Sequence, residues 1–141
     1  MADIDSTVRA LADRAAIHDV VLRYARGVDR RDLALVASCF IPGAAYDGGL
    51  GQGTIETVLD ALRQRLERYE STMHVIGNQL VELLGDHASS ETYAVAYHRF
   101  TLDNVPKLFT VGVRYLDDIV RQEEGWLIAR RSVKTEWQRT E

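Results

Sequence analysis

The sequence predicts an α+β fold in which N-terminal helices pack on a largely antiparallel sheet, and two patterns carry this prediction. Apolar residues recur at helical spacing through the first half of the 141-residue chain, whereas four runs rich in β-branched and aromatic residues follow from Met73 onward. The segments between these runs, 85–87, 104–106 and 123–125, are too short for crossover helices, so we expect antiparallel hairpins. Helices followed by a strand meander form an α+β arrangement, and the length suits one domain over residues 1–141.

The first helix is predicted to begin at Asp5 or Ser6, either of which can cap it, and to end at about Val28. Counting back from Asp29 in steps of four and three gives a mostly apolar row: Ala25, Leu22, His18, Ala15, Leu11, Val8 and Ile4. We therefore expect this row to be buried and the carboxylate of Asp29 to point inward from the end of the helix.

A second, shorter helix is predicted over residues 33–40, with Asp32 as its cap and Pro42 preventing its continuation. Residues 44–47 form a short apolar run that predicts a first strand. The glycine-rich segment 48–53 has neither the strand–turn–helix context of a dinucleotide fingerprint nor the lysine of a P-loop. We expect it to be a mobile loop without a nucleotide.

Thr54 can cap a third helix over residues 55–69, whose apolar side chains share one side: Ile55, Val58, Leu59, Leu62 and Leu66. The four strand-like runs then cover residues 73–85, 89–102, 107–120 and 126–139. A helical layer on a curved sheet can enclose a pocket, which the inward faces of both layers would line.

The composition excludes several classes of partner. The net charge is only −4, with acids and bases interspersed, so the chain lacks the basic footprint of a nucleic-acid-binding protein. No segment approaches the roughly 20 apolar residues of a membrane helix, and the acidic start does not resemble a signal peptide. Cys39 is the single cysteine and cannot form an internal disulfide, which fits a cytoplasmic location.

Candidate site residues come from the alternation of the strands. His74 and Asn78 fall on one face of their run, and His98 shares a face with Phe100 and two alanines, which leaves room for a ligand. Each histidine also has a plain structural interpretation, as a water-exposed strand end or as a hydrogen-bonded core residue. Asp29 has one too, as a surface acid neutralised by the arginines beside it.

The chemistry depends on whether Asp29, His74 and His98 meet. A carboxylate that accepts a hydrogen bond from one imidazole nitrogen fixes the tautomer and leaves the other nitrogen as a general base. A second histidine could supply a proton or hold a substrate oxygen. Two histidines and a carboxylate can also bind iron, but the spacing matches no local metal motif, so we expect neither a metal nor a cofactor.

Four segments, in this order along the chain, resemble the SnoaL-like branch of the nuclear transport factor 2-like superfamily. They are ADRAAIHDVVLRYARGVDRRDLALVASCF, TMHVIGNQL, AVAYHRF and GWLIARRSVKTEW, and together they cover nearly the whole chain. The resemblance implies a cone-shaped fold, in which a strongly bent antiparallel sheet wraps around helices and encloses a deep apolar cavity.

Within this branch the motifs are nearest to those of scytalone dehydratase and of hexachlorocyclohexane dehydrochlorinase. Asp29 in GVDRRD and His74 in MHVIGN match the base dyad of both enzymes, and His98 in AYHRF matches a histidine of the dehydratase only. The dehydratase also polarises its substrate carbonyl with tyrosines that have no direct counterpart here. Tyr24 or Tyr46 would take their place.

The resemblance implies a dehydratase-like lyase that needs no cofactor and acts on a small apolar cyclic or polyketide-like molecule. Catalysis would use Asp29, His74 and His98, while Tyr24, Tyr46, Asn78 and Phe100 would contact the substrate. An isomerase, a polyketide cyclase, an epoxide hydrolase and a ligand-binding module without catalysis are alternatives on the same scaffold.

A one-layer sheet has an outer face, and the sequence places aromatic residues on it. Tyr93, Val95, Tyr97 and Trp137 are predicted there. Aromatic side chains on such a face prefer a partner surface to water, so we expect a homodimer or a homotrimer.

Overall fold

The computed structural model describes residues 3–141 and has the α+β order that the sequence predicts. The helices lie in the first half of the chain and pack against one face of a curved, open sheet. They span Ile4–Asp29 (α1), Leu33–Ser38 (α2) and Ile55–Leu66 (α3). In this range no helix is long and apolar enough to cross a membrane.

The sheet has six strands in the order β2-β1-β6-β5-β4-β3. Neighbouring strands are antiparallel, as predicted, except that β1 runs parallel to β6. The strands are β1 (Phe40–Gly48), β2 (Gly51–Thr54), β3 (Ser71–Leu84), β4 (His87–Leu102), β5 (Val105–Gln122) and β6 (Gly125–Thr140).

The caps of the first two helices are aspartates. Asp3 caps α1, rather than Asp5 or Ser6, because its carboxylate accepts a hydrogen bond from the backbone N–H of Ser6 at 2.8 Å. Asp5 then lies in the first turn, where an acidic side chain interacts favourably with the helix dipole. Asp32 caps α2 as predicted and accepts from the backbone N–H of Leu35 at 3.0 Å.

Helices α2 and α3 end two and three residues earlier than predicted, at Ser38 and Leu66. After Ser38 the chain enters β1, where Phe40 pairs with Ile128 of β6, so strand pairing overrides the helical pattern of residues 39 and 40. Helix α3 ends at Leu66, and Tyr69 lies in the connection to β3.

The glycine-rich segment 48–53, predicted to be a mobile loop, belongs to a β-hairpin. Gly49 and Leu50 form its turn, and residues 51–53 lie in β2, which pairs with the end of β1. Gly51 and Gly53 adopt positive φ angles of 112° and 151° that favour glycine. The guanidinium of Arg65 in α3 donates to the carbonyl oxygen of Gly49 at 2.9 Å and fixes the turn against the helix.

The buried face of α1 differs from the predicted row. The side chains of Ile4, Val8, Leu11 and Leu22 are exposed, at 75, 55, 62 and 41 % respectively. The face that enters the core comprises Ile17, Val20, Val21, Tyr24 and Val28. All of these positions except Val20 precede a residue of the predicted row by one, which turns the buried face by about 100° around the helix. Ala25 of the predicted row is also buried. Asp29 consequently lies at the border of this face, where α1 meets β3.

The outer face of the sheet carries the aromatic residues predicted for it. Tyr93, Tyr97 and Trp137 are exposed, and Val95 is partly buried beside them. The indole of Trp137 lies against Gly112 of β5, so closely that a Cβ atom at Gly112 would be 2.3 Å from Nε1. An open groove of about 620 Å³ runs along Tyr93, Val95 and Trp137.

Candidate active site

A cavity of about 280 Å³ lies between the helices and the sheet. Most of its wall is apolar and includes Leu62, Leu66, Ala96, Val111, Val113 and Val133. Among the polar side chains that line it are two histidines, His74 and His98, and Arg65. Four tyrosines also line it: Tyr24, Tyr46, Tyr69 and Tyr115. Apolar walls with a few convergent polar groups are typical of a small-molecule site, and the volume is near the lower end for one.

Asp29 and His74 are in direct contact at the edge of this cavity. The Oδ1 atom of Asp29 is 2.7 Å from Nδ1 of His74, and Oδ2 accepts from the backbone N–H of His74 at 2.8 Å. The hydroxyl of Thr72 donates to Oδ1 at 3.0 Å. Because the carboxylate can only accept, Nδ1 carries a proton, and in the neutral form of the ring Nε2 is left as an acceptor.

Local structure explains why these groups meet. Thr72 and His74 are two residues apart at the start of β3 and share a face, so both reach the last residue of α1. The end of α1 is held in turn by Arg31, whose guanidinium donates to the carbonyl oxygens of Leu66 and Tyr69 at 3.1 and 2.6 Å. The ends of two helices and the start of a strand are thereby fixed together.

Asp29 remains ionised in this setting. Partial burial raises the pKa of its carboxyl, but the hydrogen bonds from the ring and backbone of His74 and from Thr72 outweigh it and lower the pKa. The side chain of Asp29 is 22 % exposed and that of His74 is 9 % exposed. Asp29 itself does not line the cavity. It faces an outer groove beside Arg26 and Arg30, so only the ring of His74 is presented to a ligand inside.

His98 is held in the same tautomer by a different partner. Its Nδ1 is 3.1 Å from the carbonyl oxygen of Phe109, which can only accept, so Nδ1 carries the proton and Nε2 is an acceptor. Burial lowers the pKa of His98, and the nearby ring of His74 adds to this, against the opposing effect of the Phe109 carbonyl and Asp29. His98 is therefore neutral at pH 7. Its ring centroid is 6.3 Å from that of His74.

Three of the four tyrosines are buried and form a second polar group in the cavity. Burial is the main cause that raises the pKa of Tyr24, Tyr46 and Tyr115, so their hydroxyls stay protonated at neutral pH and can donate hydrogen bonds. The rings of Tyr24 and Tyr115 meet edge to face with centroids 5.8 Å apart. No sequence motif marks Tyr115, although it alternates with Val113, another residue that lines the cavity.

Asn78, predicted to share the face of His74, lies outside the cavity. The pairing of β3 with β4 shifts register between Ile76 and Gln79, and this bulge reverses the alternation that follows it. Asn78 is consequently exposed in the outer groove. Gln79 takes the inward position instead, where its amide donates to the hydroxyl of Thr92 at 2.9 Å.

Phe100 has a supporting position rather than a place in the cavity wall. Its ring meets that of Tyr69 edge to face, with centroids 6.1 Å apart, and Tyr69 in turn lies 4.7 Å from the ring of His98. Phe100 therefore packs against the group that flanks His98. Within residues 3–141 no group of three or more His, Cys, Asp or Glu side chains is arranged to hold a metal ion.

Comparison with known families and proteins gives matches along most of the chain. The profile of the SnoaL-like domain matches residues 9–132. Uncharacterized proteins of Mycobacterium tuberculosis and Mycobacterium bovis are each 32 % identical over 129 residues, which is 89 % of this chain and 86 % of theirs.

Solved structures share the fold at lower identity. A candidate scytalone dehydratase from Novosphingobium aromaticivorans superposes with a TM-score of 0.84 at 18 % identity, covering 94 % of this chain and 90 % of the other. The hexachlorocyclohexane dehydrochlorinase LinA-type3 from Novosphingobium barchaimii gives a TM-score of 0.83 at 20 % identity, covering 96 % and 94 %. At these identities the likeness shows the shared cone-shaped fold.

Proposed function

Because the chain belongs to the SnoaL-like domain family, we propose that it is a cofactor-independent acid–base enzyme that eliminates water from a small, largely apolar cyclic or polyketide-like molecule. The observation that supports this best is the 2.7 Å contact between Asp29 and His74, beside a cavity that the ring of His74 lines. An oriented imidazole with a free nitrogen at an apolar cavity is suited to remove a proton from carbon.

The first step is proton abstraction next to a carbonyl group. Nε2 of His74 takes the proton, and the electron pair of the broken C–H bond moves onto the carbonyl oxygen to give an enolate. Asp29 stabilises the imidazolium that forms, because its charge faces the Nδ1–H bond. The hydroxyls of Tyr24 and Tyr46 are available to donate to the enolate oxygen.

The second step expels the hydroxyl group from the neighbouring carbon. The enolate collapses, a carbon–carbon double bond forms, and the departing oxygen takes the proton from Nε2–H of His74, so water leaves and the base is regenerated. The sequence leaves two roles open for His98, to protonate this oxygen or to hold it. Its neutral, acceptor tautomer favours the second role, in which Nε2 accepts a hydrogen bond from the hydroxyl of the substrate.

The experiment starts from a ligand. Cyclic hydroxyketones that raise the melting temperature of the protein would be tested for loss of one water by mass spectrometry. His74→Ala is expected to lower kcat by about 10²- to 10⁴-fold, the usual contribution of a positioned proton-transfer group. His87→Ala, at the exposed start of β4, serves as the matched control. Full turnover by His74→Ala would refute the proposal.

An isomerase is the second candidate. Its first step is the same, and the two acceptor nitrogens of His74 and His98, on rings 6.3 Å apart, favour transfer of a proton from one carbon to another. Product mass distinguishes the two, because isomerisation conserves the mass of the substrate. An epoxide hydrolase is disfavoured, since no Asp or Glu side chain of residues 3–141 lines the cavity.

A further inference from the structure

A fully buried ion pair lies behind the tyrosines of the cavity. Nε and Nη2 of Arg131 donate to the two carboxylate oxygens of Asp117 at 2.7 and 2.8 Å, and both side chains are 0 % exposed. The two residues are direct partners across β5 and β6. Such a bidentate pair fixes the guanidinium plane as well as its position.

The two ends of the ion pair lie at different distances from the cavity. The Cζ atom of Arg131 is 4.3 Å from the ring centroid of Tyr24 and 4.1 Å from that of Tyr115. These two rings line the cavity, whereas Arg131 and Asp117 do not. The guanidinium contacts the cavity-lining rings directly, and the carboxylate lies beyond it, so the positive end of the pair is nearer to the cavity.

Stability alone does not account for this arrangement. A buried ion pair loses much hydration, and well-packed apolar residues in its place are often as stable or more stable. Within residues 3–141, Nη1 of Arg131 also has no hydrogen-bond partner, although it is buried, and an unpaired buried donor costs further free energy. The structure thus maintains a costly positive charge directly against the tyrosine rings.

A cation on the face of a phenol ring makes its hydroxyl a better hydrogen-bond donor, because it favours electron density moving away from the oxygen. Burial raises the pKa of Tyr24, and the charge of Arg131 counteracts part of that rise. The hydroxyl therefore stays protonated and donates more strongly than an equally buried tyrosine without the cation.

We propose that Arg131 is a positioning residue, held by Asp117, that stacks on Tyr24 and Tyr115. It makes the part of the cavity that these tyrosines line selective for a ligand oxygen that bears or develops negative charge. The ligands expected in this part are enolates and phenolates, rather than apolar molecules of similar size without such an oxygen. This deepens the proposed function, since it takes the same cavity as the binding site for the enolate.

The test uses 4-nitrophenol, whose ionised form is read directly by absorbance, and needs no turnover. Wild-type protein is expected to bind the phenolate in preference to the phenol. In Arg131→Met/Asp117→Leu, which replaces the pair with apolar side chains, the preference should fall about tenfold, the ratio that corresponds to one pKa unit. Arg131→Lys retains the charge and should keep most of the preference.

A matched control is available on the surface. Arg121 also stacks on an aromatic ring, that of Trp126 at 4.6 Å, and also pairs with aspartates, Asp13 and Asp86, but it does not line the cavity. Arg121→Met should leave nitrophenol binding unchanged. Circular dichroism and thermal unfolding of each variant would verify that it is folded.

Asp117→Asn provides a change of opposite sign. It removes the negative end of the pair and keeps the guanidinium, so the phenolate preference should rise above that of the wild type, which a purely structural role does not predict. If Asp117→Asn does not fold, the apolar double variant decides. An unchanged preference in that variant, or no binding of nitrophenol by the wild type, would overturn the proposal.

Failure of the proposed function would have a different signature. In that case His74→Ala would keep full turnover of the substrate, while the phenolate preference would still depend on Arg131.

Discussion

Replacing Asp29 with asparagine is the change that tests the candidate site most directly, and its effect follows from the hydrogen bonds. The carboxylate accepts from the backbone N–H of His74 at Oδ2 and from the ring Nδ1 at Oδ1. Because the backbone N–H can only donate, the amide oxygen of the substituted side chain must take the Oδ2 position. The amide NH₂ group then faces Nδ1, which must lose its proton and accept.

The tautomer of His74 is therefore expected to invert. The proton moves to Nε2, and the nitrogen at the cavity is no longer a base. We expect kcat to fall by about 10²- to 10⁴-fold, which is roughly 3–5 kcal/mol in activation free energy, while ligand binding measured by thermal shift changes little. Ring ¹⁵N shifts of His74 would report the tautomer without a substrate.

Asp32→Asn is the matched control, since it is the same chemical change three residues away. Asp32 caps α2, and asparagine caps a helix about as well as aspartate, so activity and stability should be retained. Full turnover by Asp29→Asn, or a ¹⁵N spectrum with Nε2 still unprotonated, would refute the reasoning.

Stability should depend on Asp29 in a defined pH range. The folded state lowers the pKa of Asp29 below its ordinary value of 3.8, so its hydrogen bonds stabilise the fold above about pH 4 and this contribution is lost as the pH falls through the folded-state pKa. The difference in unfolding free energy between wild type and Asp29→Asn should accordingly shrink in acid. A difference that stays constant from pH 7 to pH 3 would contradict this linkage.

Three further predictions concern other parts of the fold. Burial lowers the pKa of His98 below its ordinary value of 6.5, so the wild-type protein should lose stability as the pH falls from about 6.5 through the folded-state pKa. Urea unfolding at pH 7 and pH 5 should show this loss in the wild type and not in His98→Asn. Gly112→Ala should displace the indole of Trp137, destabilise the protein by about 1–3 kcal/mol and change its tryptophan fluorescence. Gly49→Ala is the control, because a Cβ atom at Gly49 meets open space, and it should leave stability and fluorescence unchanged. Gel filtration at micromolar concentration should show a homodimer or homotrimer that Trp137→Asp dissociates, and a monomeric wild type would exclude this.

The layout of the fold could be predicted because each local pattern agrees with the final structure. The predicted strand runs 89–102, 107–120 and 126–139 all lie within β4, β5 and β6, since the alternation and the short turns act over neighbouring residues. The hairpin of β1 and β2 could not be predicted in this way. Its glycines indicate only that the backbone is free to turn. The hydrogen bond from Arg65 to Gly49 that orders the turn joins residues of different elements, so no local pattern predicts it.

The site is partly predictable, for reasons that differ between residues. The meeting of Asp29 and His74, which are 45 residues apart, follows only from a family resemblance, because no spacing rule joins a helix end to a distant strand. Simple alternation misplaces Asn78 because of a bulge that the sequence marks only with Gly77. The row predicted for α1 is off by one residue, since an adjacent row of the same helix is also apolar.

The parallel pairing of β1 with β6 has a consequence for how the cavity is assembled. Tyr46 lies opposite Arg131 in this pairing, although the two residues are 85 apart in the sequence. A contact between such distant segments forms only after a large loss of chain entropy, which slows folding. During synthesis, moreover, β6 emerges after the other five strands of the sheet. The wall that carries Tyr46 can therefore join the sheet only when the final strand is complete, and a nascent chain without β6 should have no closed cavity in which to hold a ligand.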